Sequence, residues 1–374
     1  MIKNIIISPD SFKHACSSIQ AALALEKGLR QGLGTSKKPF KFKILIRPLS
    51  DGGEGFLEVC QHYFEKKLKL VAISCRTLYG KNKKINFGIL NQDTAIIESA
   101  KIIGLPKLPR AELEANLCKA NSKGIGECIL KAKSLGCKKI IIALGGTGSI
   151  DVGLGALKIL EQAHQKNPHL KLSQLEVMIL HDVSNPLNGT QGAVQYAFQK
   201  GLKPKDKSLL IQKLNQTTQY LEKKYGKKIS SIPGLGAAGG LAAGLYAFFK
   251  KAELKTGSQW LFEKTTWQNN IHAQDLVITG EGNLDPQTLA GKLPWQILNL
   301  AKARDAYAIA VAGRITNPRQ LLNAGLGRFQ ALFELSDPNS SNNPKALAAA
   351  LKATPKRLEA AGQMIAKMLL LQKS

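Results

Sequence analysis

The stretch DLVITGEGNLDPQTLAGKLP, residues 275–294, decides the fold that the rest of the chain must share. An apolar run that favours a β-strand passes into a polar turn broken by glycine and then into a helix-like segment. A strand, a glycine turn and a helix in this order are typical of a parallel α/β sheet, whose ligands bind at the carboxyl ends of its strands. The turn carries two acids, Glu281 and Asp285, and ends beside Lys292. These side chains suit the chemistry of phosphoryl transfer.

Short β-rich runs recur along the chain, and each is followed by a small polar or glycine turn and then a helical pattern. The predicted strands are residues 5–8, 42–49, 95–98, 139–144, 177–183, 276–279, 308–311 and 330–335. This alternation predicts an α/β architecture with a mainly parallel sheet. Helices are predicted at 17–33, which opens with a Ser-Ser cap, and at 344–371, as one or two helices. By composition, residues 336–346 are predicted to form a surface loop.

Length and composition indicate a folded protein of more than one domain. A chain of 374 residues is too long for one ordinary core, so we expect two domains. Hydrophobic residues make up 44% of the chain and charged residues only 21%, which excludes disorder as the default. No linker marks a boundary, so the chain is expected to cross between the domains more than once.

The charge balance favours an anionic partner. Lys and Arg number 53 against 26 Asp and Glu, a formal net charge of +27. Nucleotides, phosphate esters, nucleic acids and membrane surfaces are all partners of this kind. The lysines are dispersed as short pairs, without an Arg-rich tract and with little aromatic interleaving. This pattern favours a basic solvated surface over a nucleic-acid groove, and we expect no nucleic-acid partner.

The six cysteines and the amino terminus indicate the cellular compartment of the protein. The cysteines are spread singly without a C-x-x-C pair, which favours a reducing compartment and argues against structural zinc. The apolar run in MIKNIIISPD is too short for a signal peptide. Residues 232–249 approach membrane length without a charge, but their glycines and proline favour a buried loop and helix. We therefore expect a cytoplasmic protein without a membrane partner.

Five predicted strand ends carry the residues of an anion site. They are SPDSFK (8–13), PLSDGGEG (48–55), LGGTGSIDVGLG (144–155), HDVSNPLNG (181–189) and TGEGNLDPQTLAGK (279–292). Taken singly, an Asp or Ser there is explained as a helix cap and a glycine as a tight turn. Five together favour a site in which glycines admit phosphate and carboxylates hold a divalent metal. No Walker loop is present, because Leu293 follows the Gly-Lys pair.

A competing motif lies in PGLGAAGGL, residues 233–241. Gly234, Gly236 and Gly239 form a formal G-x-G-x-x-G, and Glu253 lies near the offset of the acid that a dinucleotide fingerprint requires. The preceding KKISS makes a poor strand. We favour a glycine-rich helix start that packs closely, with the nucleotide as one candidate neighbour, and keep an NAD-dependent oxidoreductase as the alternative.

With these motifs in view, the chain resembles the type I glycerate kinase family (glycerate 2-kinase-like). The matching stretches are SPDSFK, DGGEG (51–55), KGIGE (123–127), LGGTGSIDVGLGAL (144–157), DVSNPLNGTQGA (182–193), PGLGAAGGLAAGL (233–245) and TGEGNLDPQTLAGKLP (279–294). The resemblance implies transfer of the γ-phosphoryl group of ATP, with Mg²⁺, to D-glycerate, usually at the 2-hydroxyl. It also implies a flavodoxin-like parallel-sheet domain from both chain ends, residues 1–70 plus 272–374, with a second α/β domain inserted at 71–271.

This chain departs from the family pattern at several positions. Ile150 and Val152 stand where the family has Asn and Gly, and Asn283 replaces an Arg. Ile125 and Ser99 replace a Thr and a Met. The lost Arg could remove a clamp on phosphate or carboxylate, for which Arg47 or Arg314 could substitute. A non-catalytic kinase-fold protein that binds phosphorylated metabolites is therefore a further alternative.

We assign provisional roles to the strand-end residues. Asp182, Glu281 and Asp285 are expected around the metal and the reacting hydroxyl, with Asp285 as the proton acceptor and Asp182, Glu281 and Asp51 as metal ligands. The predicted catalytic residues are Asp285, Glu281, Asp182 and Lys292. The predicted ATP-binding residues are Lys13, Asp10, Gly145, Gly146, Asp151 and Gly236. D-Glycerate and nucleotide are the expected partners, and association into a homodimer is left open.

Overall fold

The computed structural model describes residues 2–34, 42–289, 291–336 and 344–371. The chain divides into two compact units, Met1–Asp51 with Leu261–Ser374 and Gly52–Trp260. These boundaries differ from the predicted ones, 70/71 and 271/272. Helix Phe56–Phe64 buries its apolar face among residues of the second unit, whereas the indole N–H of Trp267 donates to Ser8 Oγ, 3.0 Å away, in the first.

The first unit is built on a five-stranded parallel sheet. Its strands are β1 (Asn4–Pro9), β2 (Lys43–Ile46), β9 (Leu276–Leu284), β10 (Tyr307–Ile315) and β11 (Ala331–Glu334). They lie in the order β11-β10-β9-β1-β2, and every neighbouring pair is parallel. With the insertion removed, this is the strand order of flavodoxin-like folds, so the predicted fold class is confirmed. Both chain ends contribute strands, as expected.

Helices cover this sheet. They are α1 (Ser18–Leu33), α10 (Pro286–Leu289), α11 (Leu293–Lys302), α12 (Pro318–Asn323) and α13 (Pro344–Leu371), with 3₁₀ turns at Trp267–Asn270 and Leu326–Arg328. The predicted Ser cap is present, because Ser17 and Gln20 form a reciprocal capping box. Helix α1 packs against α13, where a Cβ at Gly28 would meet the carbonyl oxygen of Glu359 at 1.8 Å. Glycine is therefore required for this close approach.

The second unit contains a six-stranded mixed sheet. Its strands are β3 (Leu68–Arg76), β4 (Asn82–Leu90), β5 (Thr94–Glu98), β6 (Lys139–Ala143), β7 (Glu176–His181) and β8 (Lys251–Thr256), in sequential order. The pairs β3/β4 and β4/β5 are antiparallel, and β5 to β8 run parallel. A core of aliphatic residues such as Ile97, Ile142 and Ile179 lies on one face.

The helices of the second unit range from 5 to 19 residues in length. They are α2 (Phe56–Phe64), α3 (Ser99–Ile103), α4 (Arg110–Asn116), α5 (Lys123–Ser134), α6 (Leu154–Lys166), α7 (Lys207–Tyr225) and α8 (Leu241–Phe248). Helix α9 (Gly257–Thr265) contains the boundary at residue 260. The 3₁₀ turns are Leu117–Lys119, Pro168–Leu170, Leu172–Gln174, Ala193–Tyr196, Phe198–Lys200, Pro204–Asp206 and Ala237–Gly240.

Strands β3, β4 and β8 were not among the predicted strands. Strand β8 reads KAELKT, which holds more helix formers than β formers. Its pairing with β7 overrides that preference, because the backbone hydrogen bonds are made with a distant segment.

The predicted buried loop and helix at 232–249 is observed as a glycine turn followed by α8. Within the described residues, no helix combines the length and the apolar character that crossing a membrane requires. Of the predicted surface loop, residues 337–343 lie outside the described residues, and 344–346 begin α13. That helix continues through Pro355 as one helix.

Candidate active site

Three acids of the first unit lie at the carboxyl ends of its strands. Asp10 follows β1, Asp51 follows the segment after β2, and Glu281 lies near the end of β9. The pairing of β1 with β9 sets Pro9 opposite Gly280, which brings Asp10 and Glu281 to neighbouring positions. All three side chains are buried. Parallel strand order thus brings Glu281 to the same edge of the sheet as two acids that precede it by 230 or more positions in sequence.

Asp10 is a buried carboxylic acid among like charges. Burial raises its pKa well above the usual range, and the nearby charge of Asp51 raises it further. The backbone N–H of Ser11, 2.7 Å from Asp10 Oδ1, and the ammonium of Lys13 act in the opposite direction. Lys13, which is exposed, thus lies close enough to act on Asp10, and its predicted contact with ATP remains a prediction.

Glu281 has the most informative environment of the three. Burial raises its pKa to about 7, with Asp51 and Asp285 adding to the rise and Lys292 and Thr288 opposing it. The hydroxyl of Thr288 donates to Oε1, and the ammonium of Lys292 lies 3.9 Å from Oε2. A carboxyl group whose pKa lies near neutral pH is suited to accept a proton during a reaction.

Asp285 is held by donors from its own segment. Its Oδ1 accepts hydrogen bonds from the backbone N–H of Gln287 at 2.9 Å and of Thr288 at 3.3 Å, and from Lys292 Nζ at 3.3 Å. Asn283 donates to Oδ2 at 3.1 Å. Asp285 therefore caps α10 and anchors Lys292, which fixes the ammonium beside Glu281.

Asn283, which stands where the family pattern has Arg, lies directly opposite Arg314 in the β9/β10 register. Both residues line a cavity of about 720 Å³ at the strand ends, together with Glu334, Leu351 and Arg357. The other candidate substitute, Arg47, donates instead to the carbonyl oxygen of Ile46 at 3.1 Å. Of the two candidates, Arg314 is the one that lies beside Asn283, and its substitution for the family's Arg remains a prediction.

The acids of the first unit suit a hard divalent cation. Buried carboxylates that raise each other's pKa are relieved by a nearby positive charge. Within the described part of the chain, no group of three or more His, Cys, Asp or Glu side chains is arranged to hold a metal by itself. Mg²⁺ is usually held by one or two carboxylates together with phosphate oxygens and water, so Asp10 and Asp51 fit as partial ligands.

In the second unit, the loop after β6 approaches other backbone segments closely. The N–H of Gly145 donates to the carbonyl oxygen of Gly52 at 3.1 Å. A Cβ at Gly145 would lie 2.5 Å from the Cα of Gly53 and 3.2 Å from Asp182 Oδ2. Gly146 has a φ of +79°, the left-handed region that glycine tolerates. Glycine is thus required at both predicted positions by this geometry.

Asp151 organises the same loop through its carboxylate. Oδ2 accepts from the N–H and hydroxyl of Ser122 at 2.9 and 2.7 Å, and from the N–H of Gly155 at 3.0 Å. These bonds join the start of α5 to the start of α6. The next residue, Val152, has a φ of +52°, which explains why the family pattern has glycine there. Asp151 has a clear structural role, and its predicted contact with ATP remains a prediction.

Asp182 follows β7 and is half-buried. Its carboxylate makes no hydrogen bond to another residue in the described segments of the chain. Asp182 belongs to the second unit, whereas Glu281, Asp285 and Asp51 belong to the first. The expectation that these residues surround one metal and one hydroxyl therefore remains a prediction. His181, which precedes it, contacts the carbonyl oxygen of Val183 through Nδ1 at 2.9 Å.

The glycine-rich segment at 233–241 packs against its own chain. The N–H of Gly236 donates to Asn185 O at 2.9 Å, and a Cβ there would lie 2.3 Å from Pro186 O. No strand lies between the end of α7 and Gly234 in this fully described stretch. The context of a dinucleotide fingerprint is absent, and the oxidoreductase alternative loses its structural basis. The close packing that we expected is observed, with the 185–187 turn as its neighbour.

The sequence did not predict three residues that contact the candidate site segments. Thr288 bonds to Glu281, and Glu98 accepts the N–H groups of Gly55 and Leu57, each at 3.0 Å. The third, Lys200, is buried with its ammonium 2.9 Å from the carbonyl oxygen of Ser149. A single lysine carries no signal in so basic a sequence, and neither Thr nor Glu shows from sequence which segment it will contact.

A parallel sheet with buried acids and a paired lysine at its strand ends defines an α/β enzyme suited to transfer of a charged group. The model of the glycerate kinase family matches residues 5–165 and 156–370. The chain therefore belongs to the glycerate kinase family and is a kinase of that family, which confirms the resemblance seen in the motifs.

Curated relatives and a solved structure agree with this assignment. A glycerate kinase from Halalkalibacterium halodurans is 30% identical over 357 residues, covering 89% of this chain and 88% of the relative. A glycerate 2-kinase from Escherichia coli is 30% identical over 340 residues, covering 84% and 86%. A crystal structure from Salmonella typhimurium LT2, provisionally described as glycerate kinase 2, covers 100% of both chains with a TM-score of 0.73 and 27% identity.

Proposed function

We propose that this kinase transfers the γ-phosphoryl group of ATP to the 2-hydroxyl of D-glycerate, giving 2-phosphoglycerate. The observation that carries the proposal is the environment of Glu281, a buried carboxyl group with a pKa of about 7 beside the ammonium of Lys292. Such a pair can accept the proton of a hydroxyl group and neutralise charge on a transferred phosphoryl group.

In this proposal Glu281 accepts the hydroxyl proton. The sequence pattern had favoured Asp285 for that role. Both oxygens of Asp285 already accept hydrogen bonds within its own segment, and one of them holds Lys292. These bonds engage both oxygens of Asp285 within its own turn, which suits a positioning role. Asp285 is therefore proposed to position Lys292.

Asp10 and Asp51 are proposed to hold Mg²⁺ as partial ligands. The bound cation would neutralise phosphate charge. Without it, burial and the charge of Asp51 favour the protonated form of Asp10. Lys13 would add a positive charge near the same acids. The backbone amides around Gly145 and Gly146 are proposed to bind an anionic group of a substrate, and Asp182 stays a predicted metal ligand.

The direct test measures ADP release with D-glycerate, L-glycerate and D-lactate, each with ATP and Mg²⁺. The ³¹P spectrum of the product then distinguishes the 2-phosphate from the 3-phosphate. We expect D-glycerate to be the preferred acceptor and the 2-phosphate to be the product. Stabilisation of the fold by ATP with no ADP from any acceptor would show the non-catalytic alternative. Stabilisation by NAD but not by ATP would contradict the proposal.

A cytoplasmic location is also proposed. All six cysteines are free, and the Cys75 and Cys128 thiols are in hydrogen-bond contact without being joined. Two neighbouring free thiols suit a reducing compartment. Fractionation of cells that express the protein tests this proposal, and light scattering on the purified protein tests whether two copies associate.

A further inference from the structure

Lys200 is a charged side chain that the roles proposed above do not use. It ends the 3₁₀ turn Phe198–Lys200, and only 4% of its surface is exposed. Its ammonium donates to the carbonyl oxygen of Ser149 at 2.9 Å, and no other acceptor or ion-pair partner bonds to it among the described residues. Two of its three N–H donors are therefore available to a ligand.

Burying an ammonium group that makes only one hydrogen bond costs free energy, and the pKa of Lys200 reflects this cost. Desolvation lowers the pKa of Lys200 to about 8, while the charges of Asp151 and Asp182 act in the opposite direction. At neutral pH the side chain is still mainly protonated. A buried cation without an ion-pair partner is stabilised by an anion that binds beside it.

Two polar side chains on the loop that Lys200 contacts also lack hydrogen-bond partners in the described part of the chain. The hydroxyls of Thr147 and Ser149 are buried, and neither has a hydrogen-bond partner in the described structure. Both lie on the glycine-rich loop after β6, whose Ser149 carbonyl receives Lys200. Buried hydroxyls are normally satisfied, so unpaired ones indicate an absent ligand. The two hydroxyls are two positions apart in sequence, and the Lys200 ammonium bonds to the backbone of the same loop.

We propose that Lys200, Thr147 and Ser149 bind the carboxylate of the hydroxy-acid substrate. A carboxylate carries one negative charge and matches the one ammonium and the small number of donors, whereas a triphosphate needs more cations than Lys200 supplies beside Asp151 and Asp182. The assignment rests on the proposed function for the identity of the acid. The site itself rests only on the geometry of the second unit.

The test compares K200M with K205M. Methionine keeps the apolar stem of Lys200 and removes the charge, and Lys205 is an exposed lysine of the following turn with no bonding partner in the described structure. Calorimetry measures D-glycerate binding without nucleotide, and, separately, binding of a non-hydrolysable ATP analogue. We expect K200M to weaken D-glycerate binding by about tenfold or more. It should change binding of the ATP analogue less than about twofold, and K205M should match the wild type in both.

D-glycerate binding to K200M at wild-type strength overturns the proposal. Loss of ATP-analogue binding with D-glycerate binding intact overturns the carboxylate assignment and shows a phosphate site. If K200M does not fold, K200R and the double variant T147V/S149A are measured instead. We expect K200R to retain part of the D-glycerate binding and T147V/S149A to bind D-glycerate more weakly than the wild type. Wild-type D-glycerate affinity in T147V/S149A would also overturn the proposal.

Binding of a neutral substrate analogue distinguishes failure of the carboxylate site from failure of the proposed reaction. Glyceramide, the neutral amide of the substrate, should bind the wild type weakly and should not distinguish it from K200M. If the wild type binds D-glycerate but transfers no phosphoryl group, the proposed reaction fails while the carboxylate site stands. If turnover is normal and KM for D-glycerate is unchanged in K200M, the carboxylate site fails while the proposed reaction stands.

Discussion

The hydroxyl of Thr288 lies 2.8 Å from Oε1 of Glu281 and donates a hydrogen bond to it. Thr288 belongs to the short helix α10, and Glu281 belongs to β9. The backbone N–H of Asp285 also donates to the same Thr288 hydroxyl at 3.1 Å. The strand and the following turn are thus locked together around a buried carboxyl group, and the protonation of that group is set by its neighbours.

Replacing Glu281 with Gln should abolish most activity. Loss of a positioned proton acceptor costs about 10²- to 10⁴-fold in rate. The measurement is kcat for D-glycerate-dependent ADP release, with E65Q, an exposed glutamate on the other unit, as the matched control. Retention of more than half of the wild-type kcat by E281Q would exclude Glu281 as the base.

The same variant should change how stability depends on pH. The pKa of Glu281 is about 7 in the folded protein against an ordinary value of 4.5, so the folded state binds more protons between these values. Its contribution to stability is therefore greatest below pH 4.5 and is lost as pH rises through 7. Relative to the wild type, E281Q should gain up to about 3 kcal/mol between pH 5 and pH 8. Urea unfolding at the two pH values checks this, and a constant difference would contradict the assigned pKa.

Replacing Thr288 with Val should move the acidic limb of the pH profile. The hydrogen bond from Thr288 lowers the pKa of Glu281, so its loss should raise that pKa. The acidic limb of the pH profile of kcat/KM should then shift to higher pH. T288S keeps the hydroxyl and serves as the control, and its profile should stay close to that of the wild type. Coincident profiles for T288V and T288S would show that Thr288 does not act on the titrating group.

Replacing Lys292 with Met should both raise the pKa of Glu281 and remove charge near the transferred group. Lys292 is the strongest influence that opposes the rise, and it lies 3.3 Å from Asp285 Oδ1. We expect kcat to fall by about 10²-fold or more. K302M, an exposed lysine at the end of the same helix α11, provides the control. Equal activity of the two variants would remove Lys292 from the proposed mechanism.

Replacing Arg314 with Ala should weaken ATP binding, since Arg314 faces Asn283 across the strand pair and lines the same cavity. We expect KM for ATP to rise about tenfold, the usual effect of losing one charge-assisted contact to phosphate. R47A removes the other candidate and should change KM for ATP much less. A larger effect from R47A would reverse the assignment.

Replacing Gly239 with Ala should destabilise the second unit. Gly239 has a φ of +66°, and a Cβ would lie 2.1 Å from Ser149 O. Gly226 is a matched control, because its φ is +68° and nothing lies within 4 Å of the added atom. Both variants incur about 1–2 kcal/mol of backbone strain, and only G239A adds a steric clash. Thermal unfolding should show a clearly larger loss for G239A, and equal losses would show that the loops separate easily.

Local pattern determined much of the fold. Strands β1, β2, β5, β6, β7, β9, β10 and β11 were predicted at or near their observed positions, because apolar β-rich runs bounded by glycine turns report backbone preference directly. The Ser17 cap of α1 follows from sequence for the same reason. The strand-end motifs also indicated the family without any knowledge of distance or burial.

Tertiary structure decided the properties that depend on distant neighbours. Strand β8 exists because β7 offers a partner, and its own residues do not favour a strand. The pKa of Glu281 depends on burial, and Lys200 meets Ser149 across 51 positions. The amino-acid sequence alone determines which side chains are chemically able to react. Only the folded chain excludes water from them and sets the distances between their charges, and these two quantities determine which group holds a proton.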